Sequence, residues 1–499
     1  MIGLKSLFRS GAARRDSLES AARAAESEGD FGRAAAARRE LANREPRSAE
    51  AWLSLAGVLK KADEPRDSIA AYRKALECGA SAGKVHLQLG VLHMTIGDYP
   101  LAQEHFEKVP VDEPDHADAL CMLGVLMNDL KRFDDAARYL ERAIERNPAF
   151  SEAHFNLGLA HFERSDFHGA SRSFTRCVEL RRGSPWCGDR SALLRRDPAP
   201  GFEPMDMGVN EIKLRHDCEQ LEYLLNLGRL PPAFREVLDD YRSLLDEIRG
   251  RVDASSVIPF DPARHRLVAR TYKRPIHISG EPPPSGPLIN PDVDFRDAED
   301  RFLSAKPNLA SFDAILTPQA LEALRRFCRE STIWNNIKTG YLGAYFFDGF
   351  CSELLLRLAS ELRERLPRVV RGLPLQMMWG YKCDSSLPGL GVHADAAAVN
   401  VNFWITEDEA NLDPERGGLL VYTHDAPKDW GFMKFNNASA TILQYLESVG
   451  SIPVRIPYRT NRAVIFDSDL FHATDRPHFR EGYLNRRINI TILYGIRPM

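Results

Sequence analysis

Residues 117–150 read ADALCMLGVLMNDLKRFDDAARYLERAIERNPAF, and this stretch decides the fold of the first third of the 499-residue chain. Gly124 lies in its first half, Leu140 follows sixteen residues later, and Pro148 stands near its end. A small residue lets two helices cross closely, and a proline ends the second helix. The stretch therefore predicts one helix–turn–helix unit, which needs similar neighbours because a single unit cannot bury its apolar face.

The same pattern recurs every 34 residues on both sides of this unit. Small residues stand at the first crossing point of five units: Ala22, Ala56, Gly90, Gly124 and Gly158. Twelve residues after each of these comes a second small residue: Ala34, Ser68, Ala102, Ala136 and Ala170. Four residues further on, the position is bulky and apolar in four units and is Arg38 in the first. The period resembles the tetratricopeptide repeat and implies an α-solenoid of five repeats over residues 15–184.

The resemblance to these repeats implies two roles, and the sequence leaves both open. A concave helical surface can hold a protein or peptide partner. Alternatively, the repeats pack against another domain of the chain or form a homodimer. The sequence shows no run of Lys and Asn at matching repeat positions that would favour a clamp for a C-terminal carboxylate.

Charge and composition exclude several classes of protein. The 66 Lys and Arg residues against 70 Asp and Glu residues give a net charge of -4, so neither nucleic acid nor a membrane is expected as a partner. No apolar run is long enough to span a bilayer, and the basic N-terminal tail, residues 1–14, lacks the apolar core of a signal peptide. The eight cysteines form no CxxC pair, which favours a reducing compartment. We therefore expect a cytoplasmic protein.

A helical hairpin within a proline-rich linker is expected at residues 185–290. The first part, residues 185–205, is rich in proline and irregular. Residues 210–230 and 232–250 then show apolar residues at three- and four-residue spacing, which predicts two helices that cap the solenoid. A second proline-rich stretch, PIHISGEPPPSGPLINP, marks the junction with a different kind of sequence.

The last domain, residues 291–499, begins with helices and continues with strands. LTPQALEALRRFCRES and GFCSELLLRLASELRERL show helical spacing of apolar residues. Short β-rich runs separated by turn residues follow: LQMMWGYKC, VNVNFWIT, GGLLVYTH, IPVRIPY, RAVIFDS and RINITILYGI. These runs predict an antiparallel sandwich or barrel, so the whole chain is expected to be a multidomain α + β protein.

His393, Asp395 and His472 are predicted to hold a metal ion. His393-Ala-Asp395 stands just before a strand, where residues i and i+2 share a face, and His472 follows 77 residues later. Two imidazoles and one carboxylate form the facial triad that leaves positions open on non-haem iron. The identical tripeptide at His116 to Asp118 has no third ligand in its sequence context, so we interpret it as a helix-cap region.

An arginine fifteen residues after His472 is predicted to bind an anion. Arg487, Asn489 and Thr491 share one face of the strand RINITI, and the isoleucines share the other. A guanidinium inside a barrel lined with apolar groups needs an anion, which a dicarboxylate reaching from the metal supplies. The alternative is an ion pair between Arg487 and a carboxylate of the barrel itself. Arg486 faces the other way and is the weaker choice.

Together with Gly417-Gly418-Leu419, these motifs resemble the iron(II)- and 2-oxoglutarate-dependent dioxygenases of the double-stranded β-helix (jelly-roll) fold. GLGVHADAAAVNVNFWITEDEANLDPERGGLLVY is similar to a bacterial subgroup of these proteins that also carries tetratricopeptide repeats. The resemblance covers about residues 290–499. It implies a hydroxylase that couples oxidation of a C–H bond by O2 to the decarboxylation of 2-oxoglutarate to succinate.

The resemblance also assigns roles to individual residues. The implied Fe(II) ligands are His393, Asp395 and His472. The implied co-substrate residues are Arg487 on the distal carboxylate of 2-oxoglutarate, with Asn489 and Thr491 beside it and Tyr381 on the preceding strand. Because the triad includes the carboxylate of Asp395, the chain is closer to the prolyl-hydroxylase type than to the aspartyl/asparaginyl hydroxylases, which bind iron without it.

The leading expectation is an oxygenase that hydroxylates a side chain of a protein or peptide recruited by the repeats. Two alternatives stay open: an oxygenase acting on a small-molecule intermediate, and a non-catalytic repeat adaptor with a degenerate barrel. Asn400, Asn402 and Trp404 share a strand face and either border the pocket or are structural. Residues 408–418 and 424–451 are the expected lid segments, because long connections near a metal site often close over it.

Overall fold

The computed structural model describes residues 2–183, 208–251, 253–280, 282–338, 340–383 and 389–497, without side chains for residues 2–13. The proline-rich stretch 185–205 lies outside the described residues. The chain divides into two compact units, residues 1–166 and residues 167–499. None of the described helices is long and apolar enough to cross a membrane. The seven cysteines in the described part of the chain carry free thiols.

The first unit consists of paired helices. Their bounds are α1 (Ile2–Glu28), α2 (Phe31–Arg44), α3 (Ala49–Lys61), α4 (Pro65–Glu77), α5 (Ala82–Thr95), α6 (Tyr99–Glu107), α7 (His116–Asp129), α8 (Phe133–Arg146) and α9 (Ser151–Glu163). Several helices begin at a side-chain cap: the carboxylate of Asp30 accepts from the amide of Arg33, and the hydroxyl of Ser48 accepts from the amide of Ala51. The helices form the helical solenoid that the 34-residue period predicts.

The predicted crossing points explain how each helix pair packs. In the unit quoted above, Gly124 of α7 faces the side chain of Leu140 of α8, and a Cβ atom at position 124 would overlap it. Gly90 meets an aromatic ring in the same way one repeat earlier. In the second repeat, the hydroxyl of Ser68 donates to the carbonyl of Ala56 over 2.8 Å, so the two small positions are in contact. The small residues therefore set the close approach of the helices.

The second unit contains nine described α-helices, two larger β-sheets and one two-stranded ladder. The helices are α10 (Phe167–Arg182), α11 (Glu211–Asn226), α12 (Arg235–Ile248), α13 (Arg266–Thr271), α14 (Phe295–Ser304), α15 (Pro318–Glu330), α16 (Glu353–Arg365), α17 (Phe432–Asn437) and α18 (Ser439–Ser448). The last helix of the predicted repeat region, α10, thus belongs to this unit. The predicted hairpin corresponds to α11 and α12. Gln220 of α11 donates to the carbonyls of Arg329 and Ser331 at the end of α15, so the hairpin packs on the last domain.

The strands form two larger antiparallel sheets and one short ladder. Their bounds are β1 (Gly208–Val209), β2 (Ile258–Pro259), β3 (Leu309–Phe312), β4 (Asn336–Lys338), β5 (Tyr341–Tyr345), β6 (Leu375–Cys383), β7 (Val399–Trp404), β8 (Leu419–Asp425), β9 (Pro453–Ile456), β10 (Ala463–Asp467), β11 (Leu470–Thr474) and β12 (Arg487–Tyr494). The seven-stranded sheet has the order β3-β10-β7-β12-β6-β5-β4, and the three-stranded sheet has the order β11-β8-β9. The prediction of antiparallel strands is confirmed.

Strand β12 lies in the middle of the large sheet and is buried along its whole length. Its register places Arg487 opposite Cys383 of β6, and Thr491 opposite Trp379 of β6 on one side and Asn402 of β7 on the other. Side chains of β6, β7 and β12 with the same strand parity therefore meet on one face of this sheet. That face carries the predicted co-substrate residues.

Candidate metal and co-substrate site

Backbone hydrogen bonds bring the two predicted metal-binding segments together. The amide of His393 donates to the carbonyl of His472 over 3.0 Å, and the amide of His472 donates back to His393 over 2.8 Å. The amide of Asp395 donates to the carbonyl of Ser468, in the turn between β10 and β11. His393 forms an isolated bridge instead of lying within a regular strand. The pairing with β11, and not a strand of its own, sets its position.

The three side chains converge on one point inside the second unit. The Nε2 atom of His393 lies 3.6 Å from Oδ1 of Asp395, and Nε2 of His472 lies 3.4 Å from Oδ2 of the same carboxylate. The Nδ1 atom of His393 is hydrogen bonded to the carbonyl of Gly391, and that of His472 to the carbonyl of Leu470. These bonds fix the ring tautomers and direct both Nε2 lone pairs toward Asp395. Among the described residues, this is the one group of three such side chains arranged to hold a metal ion.

The electrostatics of this cluster also suit a cation. All three side chains are buried. Burial, with a smaller effect of the neighbouring His472, lowers the pKa of His393 to about 4, so this imidazole is neutral at physiological pH. Burial alone would raise the pKa of Asp395, but its interactions with His472 and His393 and the hydrogen bond that it accepts from Asn400 outweigh that effect, so its pKa is lowered. Two imidazoles and one carboxylate therefore form a donor set that fits a divalent metal.

A small cavity of about 20 Å³ adjoins this cluster. Its walls include all seven residues predicted for the site: Tyr381, His393, Asp395, His472, Arg487, Asn489 and Thr491. Five further wall residues were not predicted from the sequence: Tyr341, Trp379, Cys383, Leu390 and Thr474. The alternating tyrosines of YLGAY are the signal that would have identified the first of these.

Arg487 is a buried cation without a carboxylate beside it among the residues that the structure describes. Its side chain is 2% exposed, and it donates from Nε to the carbonyl of Gly417 over 2.5 Å and from Nη2 to that of Gly418 over 3.2 Å. The guanidinium carbon lies 5.6 Å from the ring centre of Trp404. No carboxylate of the described residues lies within 4.0 Å of the guanidinium. Asp475 is the carboxylic acid among the groups that raise the pKa of Arg487, and it is paired with Arg455. Burial lowers the pKa of Arg487, but the guanidinium stays charged. An anion bound beside it would therefore be stabilised by that charge.

Asn489 and Thr491 lie on the same cavity wall and are already hydrogen bonded to β7. The Nδ2 atom of Asn489 donates to Oδ1 of Asn402 over 3.0 Å, and the hydroxyl of Thr491 donates to the same oxygen over 2.5 Å. The hydroxyl proton of Thr491 is therefore already donated to another wall residue, Asn402. The Oδ1 atom of Asn489 is buried and has no hydrogen-bond partner among the residues described.

Tyr381 of β6, which pairs with Asn489 of β12, belongs to an aromatic cluster in the cavity wall. Its ring centre lies 4.1 Å from that of Tyr341 and 5.8 Å from that of Trp379. Burial raises the pKa of Tyr381 well above its ordinary value, and the neighbouring Tyr341 and Tyr345 make smaller contributions in the same direction. The phenol is thus neutral and can donate a hydrogen bond to a ligand oxygen.

The two predicted lid segments lie on opposite sides of the site. Residues 408–418 end at the two glycine carbonyls that accept from Arg487. Residues 424–451 form α17 and α18 and hold the metal-binding segment: the amide of Ala394 donates to the carbonyl of Phe435, and Nδ2 of Asn436 donates to the carbonyl of Ala394. Both segments therefore support the site residues in this conformation.

Comparisons with known proteins concern the repeats. The tetratricopeptide-repeat family model matches residues 20–83 and 128–185. The chain is 25% identical over 255 residues to "Tetratricopeptide repeat-containing protein trd-1" of Caenorhabditis elegans, which covers 50% of this chain and 32% of that protein. It is 26% identical over 140 residues to "Superkiller complex protein 3" of Homo sapiens, which covers 26% of this chain and 9% of that protein. The chain spans at most about a third of these relatives.

Solved structures show a likeness of similar extent. The crystal structure of MamA has a TM-score of 0.30 and 22% identity, and covers 32% of this chain and 93% of its own. That of YrrB, described as a TPR protein with an unusual peptide-binding site, has a TM-score of 0.25 and 26% identity, with 29% and 75% covered. Such low scores support no functional argument. On the family match, the repeats in the first part of this chain are tetratricopeptide repeats.

Proposed function

We propose that the chain is an Fe(II)- and 2-oxoglutarate-dependent dioxygenase. One observation carries the proposal: a buried cluster of two histidines and one aspartate shares a cavity with a buried arginine that has no carboxylate of the described residues beside it. The first feature suits a divalent metal with open positions, and the second suits the far end of a dicarboxylate. Either feature alone occurs in structural settings, but their combination in one cavity is what this chemistry needs.

We further propose that the two sheets form a double-stranded β-helix. In support, the chain alternates between them from β7 onward: β8 and β9 belong to the small sheet, β10 to the large one, β11 to the small one and β12 to the large one. An alternation of this kind is typical of jelly rolls. The bridge between His393 and β11 extends the small sheet by one more segment.

The residues of this chain divide the work in a simple way. His393, Asp395 and His472 would hold Fe(II), and Arg487 would bind the distal carboxylate of 2-oxoglutarate and so orient the co-substrate along the cavity. When bound, the metal and co-substrate supply, with O2, the oxidising power that converts a C–H bond to C–OH while 2-oxoglutarate becomes succinate and CO2. The ring of Trp404 beneath the guanidinium would stabilise its charge by a cation–π contact.

The substrate that fits the whole chain best is a protein or peptide side chain. Tetratricopeptide repeats commonly bind proteins, so they would recruit the substrate while the last domain oxidises it. A small-molecule substrate would leave the repeats with an assembly role. An adaptor without catalysis would leave the buried cation and carboxylate of the site without a function.

Succinate formation in the absence of any added substrate tests the proposal. We expect purified full-length protein to convert 2-oxoglutarate to succinate slowly and only with Fe(II), because these co-reactants need only the residues of the cavity. Asp395→Ala should fall to the level of the metal-free sample, since it removes the anionic ligand. His116→Ala, in the identical tripeptide of the repeats, is the matched control and should behave as wild type. Succinate that appears without iron, or is unaffected by Asp395→Ala, would contradict the proposal.

A further inference from the structure

A chain of buried hydrogen bonds connects β12, the strand of Arg487, with the carboxylate of Asp395. Asn400 donates from Nδ2 to Oδ2 of Asp395 over 2.6 Å, and Asn402 donates from Nδ2 to Oδ1 of Asn400 over 2.6 Å. The chain continues from Asn402 Oδ1, which accepts from Thr491 and from Asn489. Two side chains, Asn400 and Asn402, thus separate the predicted co-substrate wall from the predicted metal ligand.

The direction of every bond in this chain follows from its last member. An ionised carboxylate only accepts hydrogen bonds, so Asn400 must present its NH2 group to Asp395 and its oxygen to the next residue. That oxygen requires the NH2 group of Asn402, whose own oxygen then faces β12. Each amide is therefore locked in one orientation. Asp395 in turn receives a donor that points at Oδ2 in a single defined direction.

Stability alone gives no reason for these amides. Asn400 is fully buried and Asn402 is 3% exposed, next to apolar neighbours of β7 and β10. A fully satisfied buried hydrogen bond contributes little net stability. The amides point to a task that needs their donors.

We propose that Asn400 is a positioning residue that fixes the carboxylate of Asp395 for metal binding, and that Asn402 positions Asn400. The inference rests on the proposed function, because it assigns Asp395 to a metal. The donor from Asn400 holds the carboxylate in one rotamer before the metal arrives. Outer partners of this kind typically contribute 10- to 100-fold to metal affinity.

The test measures metal affinity and ligand geometry in full-length protein under anaerobic conditions, with Co(II) as the probe. Asn400→Leu keeps the side-chain shape and removes the donor, so we expect Co(II) to bind roughly 10- to 100-fold more weakly. Its visible Co(II) spectrum should change as well, because the carboxylate is no longer held. In Asn402→Leu, Asn400 can still donate to Asp395, but no neighbouring amide holds it in that orientation. The Co(II) affinity of this variant should therefore fall between those of Asn400→Leu and wild type.

The double variant separates positioning from simple damage to the wall. If Asn402 acts through Asn400, the variant with leucine at both positions should bind Co(II) as Asn400→Leu does, with no further loss. Ser468→Ala is the matched control: Ser468 is fully buried beside Asp395, but its hydroxyl has no hydrogen-bond partner in the described part of the chain. It should keep wild-type affinity and spectrum. Asn400→Ala, which adds no atoms, repeats the test if the leucine variant lowers the melting temperature.

The outcomes distinguish this inference from the proposed function. If wild type binds Co(II), His393→Ala abolishes binding and the Asn400 variants match wild type in affinity and spectrum, the positioning role is wrong and the metal site stands. Additive losses of Co(II) affinity in the double variant would show that Asn402 does not act through Asn400. If wild type binds no Co(II), or His393→Ala binds it equally well, the proposed function itself fails.

Discussion

His393→Ala is expected to abolish tight binding of a divalent metal to this protein. The variant removes one of three donors whose ligand atoms lie within 4.8 Å of one another. It also leaves Asp395 with a single imidazole beside it. Because even the loss of an outer partner costs about 10- to 100-fold in metal affinity, the loss of a direct ligand should cost more than about 100-fold. Isothermal titration with Mn(II) or Co(II) under anaerobic conditions measures the effect.

The repeats provide an internal control for this experiment. His116, in the same tripeptide, begins α7 and its Nδ1 atom is bonded to the carbonyl of Val109 over 3.2 Å. His116→Ala should therefore leave the metal affinity unchanged. Binding of a repeat partner should survive His393→Ala. A metal that binds equally well to both variants would show that His393 is not one of its ligands.

Arg487→Met is expected to remove 2-oxoglutarate binding while leaving the metal in place. Methionine fills a similar volume but removes the charge that would pair with the distal carboxylate. Loss of one partner of a buried charged pair costs about 2–5 kcal/mol, which is at least roughly 30-fold in affinity. Titration of 2-oxoglutarate into Mn(II)-loaded protein without oxygen measures this, and the Mn(II) affinity itself should change little.

Arg486 supplies the matched control on the same segment. It lies just before β12 on the other face, where its Nη2 atom is 2.9 Å from Oε2 of Glu219 on α11. Arg486→Met should weaken that ion pair and keep wild-type affinity for 2-oxoglutarate. If Arg487→Met binds the co-substrate as wild type does, the arginine is a structural group held by the carbonyls of Gly417 and Gly418.

Periodic features of the sequence predicted most of the fold. The 34-residue period identified the repeats, because stacked units must place the same small residues at each crossing. Short β-rich runs between turn residues identified strands such as LQMMWGYKC, which is β6 over its whole length. The context of His393 distinguished it from the identical tripeptide at His116, and the structure brings His393, Asp395 and His472 together. Local patterns sufficed because each of these features repeats within a short window.

Features that depend on pairing between distant segments were not predictable. Strands β3, β5 and β11 are short, and partners distant in sequence stabilise them rather than their own sequence. Trp404 shares a strand face with Asn402, but only the register of β7 against β12 reveals that Trp404 lies beneath Arg487. The same register decides between the two interpretations of Asn402, which lines the cavity and also forms part of the hydrogen-bond chain.

The spectrum of the protein with Fe(II) and 2-oxoglutarate tests the central claim most directly. The two are added in turn without oxygen, and the visible charge-transfer absorption of the chelate is recorded, with His393→Ala as the control. We predict a band that appears only when both are present and that is absent in the variant. No band in folded protein that has taken up metal, or an equal band in His393→Ala, would contradict the account and favour an adaptor role for the repeats.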